Sequence, residues 1–188
     1  MKDKFEIFVC RDFDAKHPDN KKNKEHLIKK AAVAFGVPED IAEKTQILRT
    51  DMGKPYFNDL DVHFSISHSQ DIWACLMGPD CCGLDIQYIK PCNYKRIAKR
   101  FFSLWENAYI EQNDIEGFFD IWTRKEAYGK YTGEGFFGDC PNLVSTKGEL
   151  LSQISETVFL KEIDMGSKIK GVICFDKPNI DIEIREEW

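Results

Sequence analysis

The order of hydrophobic and polar positions changes period several times along the chain, and each change predicts an element. Residues 5–10 alternate, which predicts an opening strand. Asn20 or Asn23 stands where a cap is needed for a helix through residues 24–35, and Gly36 supplies its stop. Pro38, followed by Glu39 and Asp40, predicts a short helix with proline first and acids in the first turn. A strand is predicted at 46–50, and Asp51, Met52, Gly53, Lys54 and Pro55 read as a turn. Three strand-like segments follow at 63–67, 72–77 and 82–88. The first and last alternate, while the middle one is short and apolar. Pro91 ends the set. Asn93 can cap a basic helix to about residue 102, and Ser103 with Glu106 forms a capping-box pattern. A longer helix is predicted over about 115–131, stopped by Gly133 and Gly135, and strands return at 156–163, 168–175 and 180–184. This order predicts an α+β fold in two halves that meet near residues 88–91. No sequence repeat relates the halves and no Gly/Ser-rich linker parts them. The 188 residues are expected to form one compact unit, with an N-terminal lobe at 1–89 and a C-terminal lobe at 90–188.

Composition narrows the class. Hydrophobic residues make up 43% and aromatics 13%, which predicts a packed globular protein. No apolar run nears the roughly 18 residues that a bilayer span needs. The first six residues lack the apolar middle of a secretory signal, so a soluble cytoplasmic protein with no membrane partner is expected. The seven cysteines include no Cys-x-x-Cys pair, which predicts reduced thiols rather than a zinc site or disulfide scaffold. A net charge of −6 argues against nucleic acid as a partner. The charge is uneven, however. Lys90, Lys95, Arg96, Lys99 and Arg100 form a basic stretch, and Lys16, Lys21, Lys22, Lys24, Lys29 and Lys30 a second one. Local basic clusters on an acidic chain suit small anions or an acidic protein partner.

Three segments carry candidate chemistry. In the strand at 82–88, a period of two turns Leu84 and Ile86 to one side and Asp85 and Gln87 to the other. Aspartate is depleted in strands, so Asp85 needs a partner, a cap or an ion. Glu126 and Lys130, four apart on a predicted helix, share a face with Trp122 one turn earlier. Were that helix to cross the strand end, Asp85, Gln87 and Glu126 would offer three oxygens to one hard cation, with Lys130 beside them. Alone, each piece has an ordinary reading, as a turn cap or a surface ion pair. The third segment, Ser65-Ile66-Ser67-His68-Ser69, sets hydroxyls around a histidine and can bind phosphate. It lacks the Gly-x-Ser-x-Gly elbow of a serine hydrolase.

In order along the chain, these segments resemble the signatures of the 4′-phosphopantetheinyl transferases. Gly83-Leu84-Asp85-Ile86-Gln87 is similar to G-[IV]-D-[IV]-E, and Trp122-Thr123-Arg124-Lys125-Glu126-Ala127-Tyr128-Gly129-Lys130 to W-x-x-K-E-[AS]-x-x-K. Gly53-Lys54-Pro55-Tyr56 resembles the family's Gly-Lys-Pro turn, and Phe64-Ser65-Ile66-Ser67-His68-Ser69 its N-[IV]-S-H-[ST] strand end. Ile97-Ala98-Lys99-Arg100-Phe101-Phe102-Ser103 resembles its A-x-R-F-F-[ST] helix. The match covers roughly residues 49–135.

Resemblance to the Sfp-type branch implies a monomer of two similar α/β lobes with the active site between them. It implies transfer of phosphopantetheine from coenzyme A to a serine of an acyl or peptidyl carrier protein, with magnesium as cofactor. Asp85 and Glu126 would be metal ligands, joined by Gln87. Glu126 would also activate the serine hydroxyl. Lys130 would serve the departing 3′,5′-ADP, with Lys125 as a helper. His68 and Ser67 would contact the coenzyme A phosphates, while Gly53, Lys54 and Pro55 would frame the adenine. An acidic carrier would dock near Lys95, Arg96, Lys99 and Arg100. Gln87 departs from the family's usual glutamate and removes one negative charge. The basic residues for the 3′-phosphate do not align, leaving Lys22, Lys24, Lys29 and Lys30 as candidates. A magnesium-dependent coenzyme A or nucleotide hydrolase, or a binding module with weakened catalysis, would use the same residues.

Overall fold

A computed structural model describes residues 3–136 and 138–188, so residues 1 and 2 of the segment read for a leader lie outside the described residues. The fold is α+β. In chain order it comprises β1 (Asp3–Cys10), α1 (Asn20–Phe35), α2 (Glu39–Lys44), β2 (Ile47–Arg49), β3 (Pro55–Phe57), β4 (His63–Ser69), β5 (Ile72–Gly78), β6 (Cys82–Tyr88), α3 (Tyr94–Phe101), α4 (Leu104–Thr132), β7 (Phe159–Ile163), β8 (Ile169–Phe175) and β9 (Ile180–Arg185).

The helix signals act largely as read. Gly36 ends α1 with φ 117°, a left-handed value that glycine reaches without a Cβ penalty. Ser103 and Glu106 make both arms of the capping box at the start of α4. That helix runs on through the predicted 115–131 segment, interrupted by non-helical backbone at Asp114. Two caps differ from expectation. α1 begins at Asn20, behind Asp19, and Asn93 precedes α3, yet neither Asp19 nor Asn93 makes a side-chain cap hydrogen bond. Pro55 opens β3 instead of closing a turn, because a proline at the first position of a short edge strand forfeits no needed donor.

Two sheets form the body of the protein. The first has the order β4-β5-β1-β9 and the second β6-β8-β7; β2 and β3 make a separate hairpin. A division at residues 89/90 does not separate the sheets. β6 pairs antiparallel with β8 in the second sheet, and β9 returns to pair parallel with β1 in the first. Phe5, Ile7, Ala74 and Leu76 of the first sheet meet Leu84, Ile86, Ile173 and Phe175 of the second in one buried cluster. The other face of the first sheet is covered by Ile28, Ala31 and Ala32 of α1. The outer face of the second is covered by α4 through Phe118, Ile121 and Ala127. Four layers result, helix, sheet, sheet and helix, and the central strands are covered on both faces. β5 is buried at every residue for this reason.

The two sheets are stitched together by serine side chains. Ser65, Ser67 and Ser69 lie on one side of β4, two residues apart. Their hydroxyls accept hydrogen bonds from the backbone N–H groups of Leu84, Ile86 and Tyr88, at 2.9, 3.2 and 3.0 Å. The constant offset of 19 residues makes β4 and β6 run side by side in the same direction. Each hydroxyl satisfies an edge-strand donor that would otherwise be buried without an acceptor. Ser65→Ala is expected to lower stability by about 1–3 kcal/mol, because it orphans the Leu84 N–H while leaving packing intact. The shift in urea midpoint at unchanged m-value measures it.

Candidate active site

The site grows from β6 and α4. Gly83, Asp85 and Gln87 share the side of β6 that faces α4, and Leu84 and Ile86 take the opposite side into the inter-sheet core, as the period of two requires. Gly83 sets the approach of the helix. A Cβ at this position would lie 2.0 Å from the Ala127 carbonyl oxygen and 2.6 Å from the Tyr131 nitrogen. No side chain fits there. One step along β6, Asp85 therefore meets the helix at side-chain distance.

Asp85 is only 2% exposed. Its Oδ1 accepts from Lys130 Nζ at 2.7 Å and from the Ser67 hydroxyl at 2.8 Å. Its Oδ2 accepts from Gln87 Nε2 at 3.1 Å. Lys130 Nζ also donates to the Leu84 carbonyl at 2.9 Å. Ser67 spends its hydroxyl twice, as donor to Asp85 and as acceptor from Ile86. It is thus a positioning group for Asp85 rather than an open phosphate contact. The amide of Gln87 turns its donor end toward Asp85.

Asp85, Gln87, Ser67, His68, Glu126 and Lys130 line one cleft of about 600 Å³. Burial pushes the Glu126 carboxyl above its ordinary value; the Asp85 charge adds to the rise and Lys130 opposes it. Desolvation lowers the His68 pKa, reinforced by the positive charges of Lys24 and Lys130. Burial also lowers Lys24, with Arg49 contributing. Lys24, Arg49 and Lys90 complete a basic rim, and Trp122, Phe118, Phe119 and Ile97 an apolar wall.

Of the lysines that were candidates for phosphate contact, Lys24 reaches the cleft. Lys29 Nζ instead donates to the Glu43 carbonyl at 2.6 Å, tying α1 to α2, and Lys30 lies 4.8 Å from the Trp188 ring centroid. Arg49 carries no sequence signal that marks it. It arrives because the β2–β3 hairpin folds over the cleft, with its guanidinium donating to the Gly53 carbonyl at 2.8 Å.

Gly53, Lys54 and Pro55 line an adjoining pocket of about 240 Å³ together with Arg49, Ile66 and Lys130. Lys54 is committed elsewhere: its Nζ donates to the Tyr131 carbonyl at 2.9 Å, the Cys82 carbonyl at 3.3 Å and Cys81 Sγ at 3.4 Å. Lys125 is not brought to the cleft at all. It points the other way along the helix surface, buried in an ion pair with Glu106 at 2.9 Å. Glu106, itself fully buried, also accepts from the Leu143 and Ser103 backbone N–H groups.

Among the described residues, no three His, Cys, Asp or Glu side chains gather as a metal cluster, and no helix is long and apolar enough to cross a membrane.

Residues 81–164 match the family model described as the 4′-phosphopantetheinyl transferase superfamily. The chain is similar to a 4′-phosphopantetheinyl transferase of Bacillus subtilis, 33% identical over 160 residues that cover 79% of this chain and 66% of the relative. It is 33% identical over 118 residues to 4′-phosphopantetheinyl transferase gsp of Aneurinibacillus migulanus, covering 60% of this chain and 48% of that relative. It is 39% identical over 103 residues to 4′-phosphopantetheinyl transferase Sfp of Bacillus subtilis strain 168, covering 51% and 43%. The chain thus spans less than two thirds of the length of these relatives.

The raised Glu126 pKa gives a signed expectation. In chelator-treated buffer, between the ordinary glutamate value and the raised one, the folded protein retains a proton on Glu126 that the unfolded chain has released. Wild-type stability contributed by this group is therefore present below the ordinary glutamate value and lost as pH rises through the raised one. Glu126→Gln is expected to raise the unfolding midpoint at neutral pH. The gain should shrink toward acid, as calorimetry from about pH 4 to 8 would record.

Proposed function

We propose, on the premise that residues 81–164 make this chain a member of the 4′-phosphopantetheinyl transferase superfamily, that it transfers the 4′-phosphopantetheine group of coenzyme A to a serine hydroxyl of an apo acyl or peptidyl carrier protein, releasing 3′,5′-ADP. The observation that carries the reading is the convergence of Asp85, Glu126 and Lys130 on one basic-rimmed cleft.

The donor set suits magnesium, which takes few protein carboxylates and keeps sites for water and phosphate oxygens. Asp85, Glu126 and the Gln87 carbonyl oxygen would hold it. When bound, it supplies charge neutralisation for the diphosphate under attack. The remaining work falls to the chain. Glu126, whose pKa burial and the Asp85 charge raise, is a stronger base than an ordinary carboxylate and is suited to accept the proton of the serine hydroxyl. Lys130 meets the phosphate of the departing 3′,5′-ADP. Lys24, Arg49, Lys90 and His68 hold the remaining phosphates by charge and hydrogen bonds. The pocket at Gly53, Lys54 and Pro55 takes the adenine. The Lys54 ammonium, already bonded to two carbonyls and a thiol, frames that pocket rather than offering its own charge to the ligand.

An acidic carrier protein fits the exposed basic face of α3. Lys95, Arg96, Lys99 and Arg100 are all solvent-exposed, and the end of α3 and the first turn of α4 expose Phe101, Leu104 and Trp105. Charge steers the encounter and the apolar residues anchor it.

Mass spectrometry of apo-carrier proteins mixed with coenzyme A and magnesium tests the reading. A gain of the phosphopantetheine mass on the carrier serine is expected; free phosphopantetheine with an unmodified carrier would overturn it in favour of hydrolysis. Glu126→Gln is expected to lower kcat roughly 10²–10⁴-fold. Asp85→Ala should abolish the mass gain. Reversing Lys95, Arg96, Lys99 and Arg100 to Glu should instead raise KM for the carrier, steeply at low salt, with kcat kept.

A further inference from the structure

We infer that Lys130 is a stand-in cation at Asp85: in the free protein it neutralises the carboxylate, and a divalent ion binding there releases it toward the adjoining pocket. The inference rests on the reading of the cleft given above, and it concerns how the site changes between its free and loaded forms.

Three observations carry it. First, Asp85 is nearly fully buried, and a buried carboxylate persists only with compensating partners. Lys130 is its one ionic partner among the described residues, at 2.7 Å. Second, a carboxylate oxygen offers two lone pairs. On Oδ1 both are taken, by Lys130 Nζ and by the Ser67 hydroxyl, and Oδ2 already receives Gln87. A cation approaching Asp85 therefore meets a carboxylate that is largely satisfied, with an ammonium seated on it. Third, Lys130 lines both the large cleft and the smaller pocket, so a short swing of its flexible stem moves the charge from one to the other.

Charge balance gives the direction. Above the raised Glu126 value, where both carboxylates are ionised, Asp85 and Glu126 bring two negative charges and Lys130 one positive, leaving the cluster at −1. Adding a divalent ion with Lys130 in place makes +1, two cations crowded on one carboxylate. With Lys130 released, the ion and the two carboxylates balance at zero, and the lysine is free for a phosphate. Metal and lysine are thus antagonists at Asp85, while metal and a phosphate-bearing ligand become partners through the lysine. Reciprocity of binding free energies requires each to strengthen the other.

The test needs no carrier protein and no turnover. Mn2+ serves as the probe, its free fraction read by electron paramagnetic resonance, with neither coenzyme A nor nucleotide present. Lys130→Met is expected to bind Mn2+ roughly tenfold more tightly than wild type, the scale of a typical coupling between sites. Unchanged or weaker binding would overturn the inference. Should Lys130→Met fail to fold with Asp85 unpaired, Lys130→Gln keeps a donor and is expected to shift in the same direction. A second measurement uses the wild-type chain alone. Acylation of Lys130 by an N-hydroxysuccinimide ester, mapped by mass spectrometry, should quicken as Mg2+ is added, and a rate indifferent to Mg2+ would count against release. The two readings separate cleanly. Carrier modification without these shifts leaves transfer standing and removes the exchange; both shifts without carrier modification leave the exchange and remove transfer.

Discussion

A buried negative charge organises this protein. Asp85 sits on a strand covered on both faces, where an ionised carboxylate is tolerated only if its neighbours supply hydrogen bonds and a countercharge. They arrive from three elements: Ser67 from β4, Gln87 from β6 itself and Lys130 from α4. Each of those elements must therefore hold its place for the charge to survive. The absence of a Cβ at Gly83 brings the helix near enough, and the serines of β4 bring the other sheet alongside. The same carboxylate that would bind a cation is thus also the point where the two sheets and the helix are tied.

The helix solves a second problem, that of its own rotation. Three consecutive residues leave α4 in three directions. Arg124 pairs with Glu162 on β7, Lys125 with Glu106 in the first turn of α4, and Glu126 faces the cleft. Successive positions on a helix lie about 100° apart, so a turn of the helix about its axis would break the buried Lys125–Glu106 pair and the half-exposed Arg124–Glu162 pair before it moved the carboxylate far. Lys125 reads in the sequence as a substrate contact, yet it acts as part of this lock. Its partner Glu106 lies on the far side of the break at Asp114, which is why no local spacing could have paired them.

Much of the site was legible because it depends on local periods. Alternation along β6 separates Asp85 and Gln87 from Leu84 and Ile86, and the four-residue step on α4 puts Glu126 and Lys130 together. Both rules are geometric and survive folding unchanged. What was not legible depends on long-range encounter. Lys24 is one of six lysines in and around α1, and only the packing of that helix on the first sheet singles it out. Arg49 enters through a hairpin whose second strand was hidden by Pro55. Lys54 reads in the sequence as part of the turn that frames the adenine, and nothing local shows that it spends its ammonium on the carbonyl of Tyr131, 77 residues away in sequence. The parallel return of β9 to β1 likewise has no signature in its own residues. For that reason the halves of the chain and the sheets of the fold do not coincide.

The serine seam has a mechanical meaning. Within each sheet the strands are fixed by peptide groups, whose spacing can change only by breaking the ladder. Between the sheets the link is made by hydroxyls on rotatable side chains, which can lengthen, turn and re-form. The seam therefore links the sheets through side chains rather than through a backbone ladder. Ser67 belongs to it and also holds Asp85, so a change in the spacing of the sheets would reach the carboxylate without an intermediary.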